Sequence, residues 1–330
     1  ASDVYKRQGY VGEEHGWHYG FGLAGIGMAI GQLFYWRGQK YLSHVGNVII
    51  VDKKSTGKTN LITKIFEKTN STLGFFLTIA MGFSIYLYWG SWSYGLLVTG
   101  LAFAVGIAIV IYNDGSKIEK DRILVTYIAF LMIIVFWGAF EQAGGLLNLY
   151  AKQKTNLVLT ENFTVPASWF QSLNAIFIII FASIVGSFWV WWQNKGNEYS
   201  GIFKMAIGVI IMGWGFFFMS AASGEVQYSS SGDIVEKSAM YWLVLAYLFH
   251  TIGELCASPV ALSFITKLSP ARWSAFMMGA DFAVTGLGNK VAGLIGENAS
   301  EIGEYWTFTG IAIFCTLFGL LFLFLVCLLY

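Results

Sequence analysis

Long apolar runs separated by short polar ones make up most of the chain. A helix that crosses a bilayer takes about 20 apolar residues, with roughly 17–25 allowed. Nine runs fit: 17–36, 73–89, 94–112, 123–147, 169–192, 202–222, 240–262, 274–295 and 305–329. Many of them end on Trp or Tyr, the side chains that anchor helices at the interface. One run is organised differently. Over 126–148 the pattern predicts a single helix in which Glu141 and Gln142 interrupt apolar residues. Trp137, one turn earlier, and Asn148, seven residues later, fall on the same face as Glu141. A carboxylate at that depth costs several kcal/mol, about 3 on insertion scales, unless it meets a partner or water. The stripe predicts a helix that lines a cavity.

The polar connections set the orientation. On alternate sides, one set of loops carries Arg37, Lys40, Lys53, Lys54, Lys58, Lys64 and Lys68, then Lys117, Lys120 and Arg122, then Lys195, Lys204, Lys267 and Arg272. The opposite set holds few cations and is acidic at Glu225, Asp233, Glu236, Glu297, Glu301 and Glu304. The positive-inside rule places 38–70 in the cytosol. With 56% hydrophobic and 12% charged residues and a mean hydropathy of +0.61, the chain reads as an integral membrane protein, because soluble domains carry about 25% charge. A net charge of +1 gives no basis for a nucleic-acid partner. Cys256, Cys315 and Cys327 lie in apolar runs and read as small hydrophobes, not as a disulfide or metal set. The opening octet, 1–8, has no apolar core and reads as a leader foreign to the rest.

Several motifs carry candidate chemistry. The segment VIIVDKKSTGKTN resembles a phosphate loop, but Asp52 stands where the pattern needs its first glycine, so it reads as a solvated basic linker. Gln171 and Asn174 share one helix face; amides there serve either a site or interhelical adhesion. Glu254 and Ser258 are one turn apart, and Pro259 withholds the donor that the carbonyl of Leu255 would receive, predicting a kink beside an intramembrane acid. His250, one turn before Glu254, is a candidate partner for it. Asp281 needs a cavity or a neighbour; Lys290, nine residues on, faces the other way. Gly20, Gly27 and Gly31 suit close helix contact.

Four stretches together, GWHYGFGLAGIGMAIG, FWGAFEQAGGLLNLYA, WFQSLNAIFIIIFA and GELCASPVALSFITKLSP, resemble the proton-dependent oligopeptide transporter family of the major facilitator superfamily. The resemblance implies an all-α integral membrane fold, part of a twelve-helix arrangement of two six-helix bundles. On that map 9–37 is the last helix of the N-terminal bundle, 38–71 a cytosolic linker, 72–113 an accessory hairpin, and 121–330 the C-terminal bundle. Five helices and the E-x-x-E-R proton motif have no counterpart, so the chain reads as a fragment that is not expected to transport alone, and the missing N-terminal bundle is an expected partner.

The resemblance further implies inward symport of di- and tripeptides with protons, in the plasma membrane and with no cofactor. Glu141 would couple protons. Glu254 would hold the peptide amino group, Asn174 its backbone, and Trp137 and Ser258 would line the cavity. Two positions depart from the family: Ala175 replaces a proline, which would straighten that helix, and Asp281 replaces an aromatic, which puts side-chain preference in doubt and would favour basic peptides. Three other readings stand beside transport: a peptide sensor that does not turn over, a relative that carries another solute such as nitrate, and an enzyme using His250 and Glu254 as an acid–base pair.

Overall fold

The computed structural model describes residues 11–12, 15–42, 81–87, 90, 112, 116–197, 200–269 and 274–329. The octet, the phosphate-loop-like segment and most of the 72–113 hairpin lie outside the described residues. Helix α1 (Trp17–Gly38) is apolar and largely bare, with Met28 and Phe34 more than two-thirds exposed. A helix apolar all round is suited to a hydrocarbon surround. Of the glycines expected to allow close contact, Gly27 and Gly31 have nothing within 4 Å of a built Cβ among the described residues, whereas Gly20 is buried.

From residue 116 the helices pack together. Ser116 opens α2 (Lys117–Phe140) with a capping box: its side chain accepts from the Glu119 amide, and its own amide donates to the Glu119 carboxylate at 2.7 Å. The helix ends at Phe140, earlier than the pattern predicts. A 3-10 turn (Glu141–Ala143) follows, then Gly144-Gly145, then α3 (Leu146–Lys154). The predicted polar stripe is therefore broken: Trp137 belongs to α2 and Asn148 to α3. Two adjacent glycines, the least costly residues at which to leave helical geometry, account for the break. The chain continues through β1 (Val158–Thr160), β2 (Phe163–Thr164), α4 (Gln171–Asn194), α5 (Gly201–Glu225), β3 (Gln227–Tyr228), β4 (Ile234–Glu236), α6 (Met240–Leu268), α7 (Ser274–Ile302) and α8 (Glu304–Leu329). Among the described residues, five helical stretches are long and apolar enough to span a membrane, beginning at Lys117, Ala167, Gly201, Met240 and Glu304.

Helix α5 is the centre of the core, with Ala206, Val209, Met212, Phe216 and Met219 fully buried. It packs on α6 along one side and α8 along the other, while α2 packs on α7 and α4 on α6. Small residues make the closest crossing possible. A Cβ built on Gly208 would lie 2.7 Å from the carbonyl oxygen of Gly253, and one on Gly253 would lie 2.6 Å from that of Gly208. Backbones this close gain dispersion contacts along their length, the main source of helix association where no water need be displaced.

The two β-hairpins meet at one end of the molecule. Thr155 bridges to Ser238, Tyr150 donates to Ser238 at 3.2 Å, and Lys154 pairs with Glu304 at 2.7 Å. Segments after α3, after α5 and before α8 thus lie on the same side, as the alternating charge pattern requires. Helix α6 runs unbroken through Pro259. One missing donor in a 29-residue helix costs one hydrogen bond, and the turns on either side keep theirs.

Candidate functional site

Helix α6 supplies the centre of the site. Its spacing sets Glu254 and Ser258 one turn apart on the side turned from the Gly208–Gly253 crossing. Both border a cavity of about 570 Å³ walled by α2, α4, α5, α6 and α7. That volume falls in the range of small-molecule pockets, roughly 300–1,000 Å³. Trp137 from α2 and Asp281 from α7 border the same space, with Phe136, Phe282 and Thr285 beside them. Trp137 is set by Gly288 of α7, where an added Cβ would meet the Trp137 Cβ at 2.8 Å. Four of the six candidates read from the sequence therefore share one cavity.

The fifth, Asn174, reaches the first directly. Its side-chain amide donates to Glu254 Oε2 at 2.7 Å and to Thr251 Oγ1 at 3.2 Å. Thr251 in turn donates to the carbonyl of Tyr247 at 2.7 Å. The amide is held at two points, and the Glu254 carboxylate has one acceptor position satisfied by a neutral donor. Gln171, on the same face, makes no comparable bond among the described residues, so of the two amides Asn174 is the one seen to join the site.

Glu141 is placed differently. It sits in the 3-10 turn beyond α2, half-buried and off the cavity lining. The turn is pinned on both sides. Gln142 donates to the carbonyls of Gly138 and Ala292, at 3.2 and 3.0 Å, and Tyr247 donates to that of Ala143 at 3.1 Å.

His250 is not the partner of Glu254. It is 1% exposed, neither ring nitrogen has a hydrogen-bond partner among the described residues, and the ring lies against Phe216 with centroids 4.5 Å apart. Gly215 makes the room, for a Cβ there would come within 2.7 Å of His250 Nε2. The imidazole turns into the α5 interface, so no acid–base pair forms with Glu254. Thr251 and Tyr247 went unread in the sequence, and Gln142 was noted only as the polar neighbour of Glu141. Thr251 had a usable signal, because it lies three residues before Glu254 on the same helix face.

The sequence profile of the POT family matches residues 7–307. The chain belongs to the POT family. Among POT relatives, the peptide transporter YePEPT of Yersinia enterocolitica is 31% identical over 304 residues, covering 87% of this chain and 57% of that protein. A di-/tripeptide transporter of Lactococcus lactis subsp. cremoris is 30% identical over 280 residues, covering 82% of this chain and 54% of that protein. The crystal structure of peptide transporter POT in complex with sulfate superposes with a TM-score of 0.71 at 26% identity, over 97% of this chain and 63% of that one. The chain thus spans a little over half the length of these relatives. The POT assignment and the apolar helices make it a multi-pass, all-α membrane protein with part of a major facilitator superfamily fold.

Proposed function

We propose that this protein is a proton-coupled symporter that imports di- and tripeptides across the plasma membrane, a bacterial inner membrane. One observation carries the reading: a carboxylate, Glu254, borders a cavity of peptide size and is oriented by the Asn174 amide. The names of the POT relatives support it. A peptide's α-ammonium would meet Glu254 in a surround of low dielectric, where a charge-assisted hydrogen bond is about twice as strong as a neutral one. Asn174 gives both amide hydrogens to Glu254 and Thr251 and keeps its side-chain carbonyl oxygen to accept from a peptide-backbone N–H, and Trp137 and Ser258 shape the wall. Contacts to backbone and terminus leave side chains unread, so one site serves many sequences.

Glu141 is the proton-coupling acid in this reading. Its cationic partner would lie in the missing N-terminal bundle, and a proton taken by Glu141 would neutralise it, release that ion pair and let the helices rearrange around the site. The test is uptake of labelled dialanine into proteoliposomes under an inward proton gradient, with the protein expressed from its complete reading frame. Glu254→Gln is expected to abolish uptake while the protein remains folded and monodisperse. Full uptake by that variant would sink the assignment. Saturable binding without gradient-driven accumulation in the wild type would mark a sensor.

A further inference from the structure

Asp281 is the most deeply buried acid among the described residues. It is 9% exposed, on α7, and it borders the same cavity as Glu254 on the adjoining α6. Glu254 has the Asn174 amide. Asp281 has no hydrogen bond or ion pair among the described residues. Among the described residues the cavity lining holds no Lys, Arg or His, so nothing there offsets two carboxylates. A carboxylate in that setting is stabilised by a cation brought from outside or by a proton. The two roles differ in what they do to substrates: a proton carrier acts on all of them alike, whereas a cation-binding acid acts only on those with a second positive charge.

We propose that Asp281 selects peptides that carry a lysine or arginine side chain, with Glu254 taking the α-ammonium and Asp281 the side-chain cation. The inference rests on the peptide-transport reading and names the substrate class of that site. Its geometry is plain. The acids stand on neighbouring helices around one cavity, and the mostly apolar lining they share, which includes Phe136 and Phe282, suits the methylene stem of a long basic side chain.

The experiment is competition against labelled dialanine uptake by Ala-Lys, Ala-Ala and Ala-Glu, in wild type, Asp281→Asn and Asp281→Glu. Wild type is expected to favour Ala-Lys over Ala-Ala by about tenfold, the factor that one charged hydrogen bond supplies. Asp281→Asn should collapse that ratio, and Asp281→Glu should keep most of it. A wild type without preference for Ala-Lys overturns the proposal, as does a ratio that survives in Asp281→Asn. Equal weakening of all three peptides in Asp281→Asn overturns it in favour of a proton site. If Asp281→Asn does not fold, the wild-type and Asp281→Glu ratios decide, with preference in both supporting the assignment. Uptake of neutral peptides without the basic preference refutes this proposal alone; failure of every peptide to compete or enter refutes the transport reading with it.

Discussion

Helix α6 has two faces that solve opposite problems. Toward α5 it is dry and tightly fitted: Gly253 meets Gly208 backbone to backbone, and His250 fills the notch left by Gly215 with its nitrogens unsatisfied. Toward the cavity the same helix presents Glu254, Ser258 and the carbonyl that Pro259 leaves without a donor. The first face tolerates no added atom; the second keeps space and polar capacity for a guest. The lesson is that a binding wall in a membrane needs a rigid back, because polar groups facing open space would otherwise be drawn to partners within the protein.

The strongest way to break the contrast is on the dry face. Gly208→Val should prevent accumulation of folded protein, since its side chain would collide with the Gly253 carbonyl; overpacking of a close-packed core costs about 1–3 kcal/mol and backbone clashes more. Size-exclusion profiles and thermal melting in detergent would show it, and a wild-type melt for Gly208→Val would mean the helices do not cross there. On the open face the expected effect is functional instead. Asn174→Ala should raise the apparent KM for dialanine about tenfold while the melting temperature moves by less than about 4 °C, since a lost hydrogen bond to a charged group costs about 1.5–3 kcal/mol.

His250→Leu is expected to keep uptake and to melt within about 2 °C of wild type, because replacing an unsatisfied buried polar group by an apolar one of similar volume is close to neutral. A large loss of uptake at unchanged stability would give the imidazole a part in the chemistry. The smallest effect belongs to the outer clasp. Breaking Lys154–Glu304 with Glu304→Gln should cost about 1 kcal/mol or less, and less again in high salt.

Much of this was legible in the sequence. Intramembrane acids are rare enough to stand out, so Glu141, Glu254 and Asp281 marked themselves, and the one-turn spacing paired Glu254 with Ser258. The alternation of charged loops gave the side on which Lys154 and Glu304 meet. Partnerships across long separations were not legible. Asn174 lies 80 residues from Glu254, and nothing local separates it from Gln171, its neighbour on the same face. The orientation of His250 depends on Gly215 in another helix, where the missing side chain decides the matter. The break at Gly144-Gly145 was present as two letters, but glycine is frequent in transmembrane helices, so the pair did not announce a turn.

That break has a mechanical consequence. Residues 141–145 are fastened to α7 through Gln142 and to α6 through Ala143, and they join α2 to α3. A link fixed to two bodies must take up any displacement between them, and this one contains the two residues with the least resistance to torsion. The carboxylate of Glu141 rides on it. Any sliding of α6 against α7 would therefore be taken up in this link and would shift that charge with it.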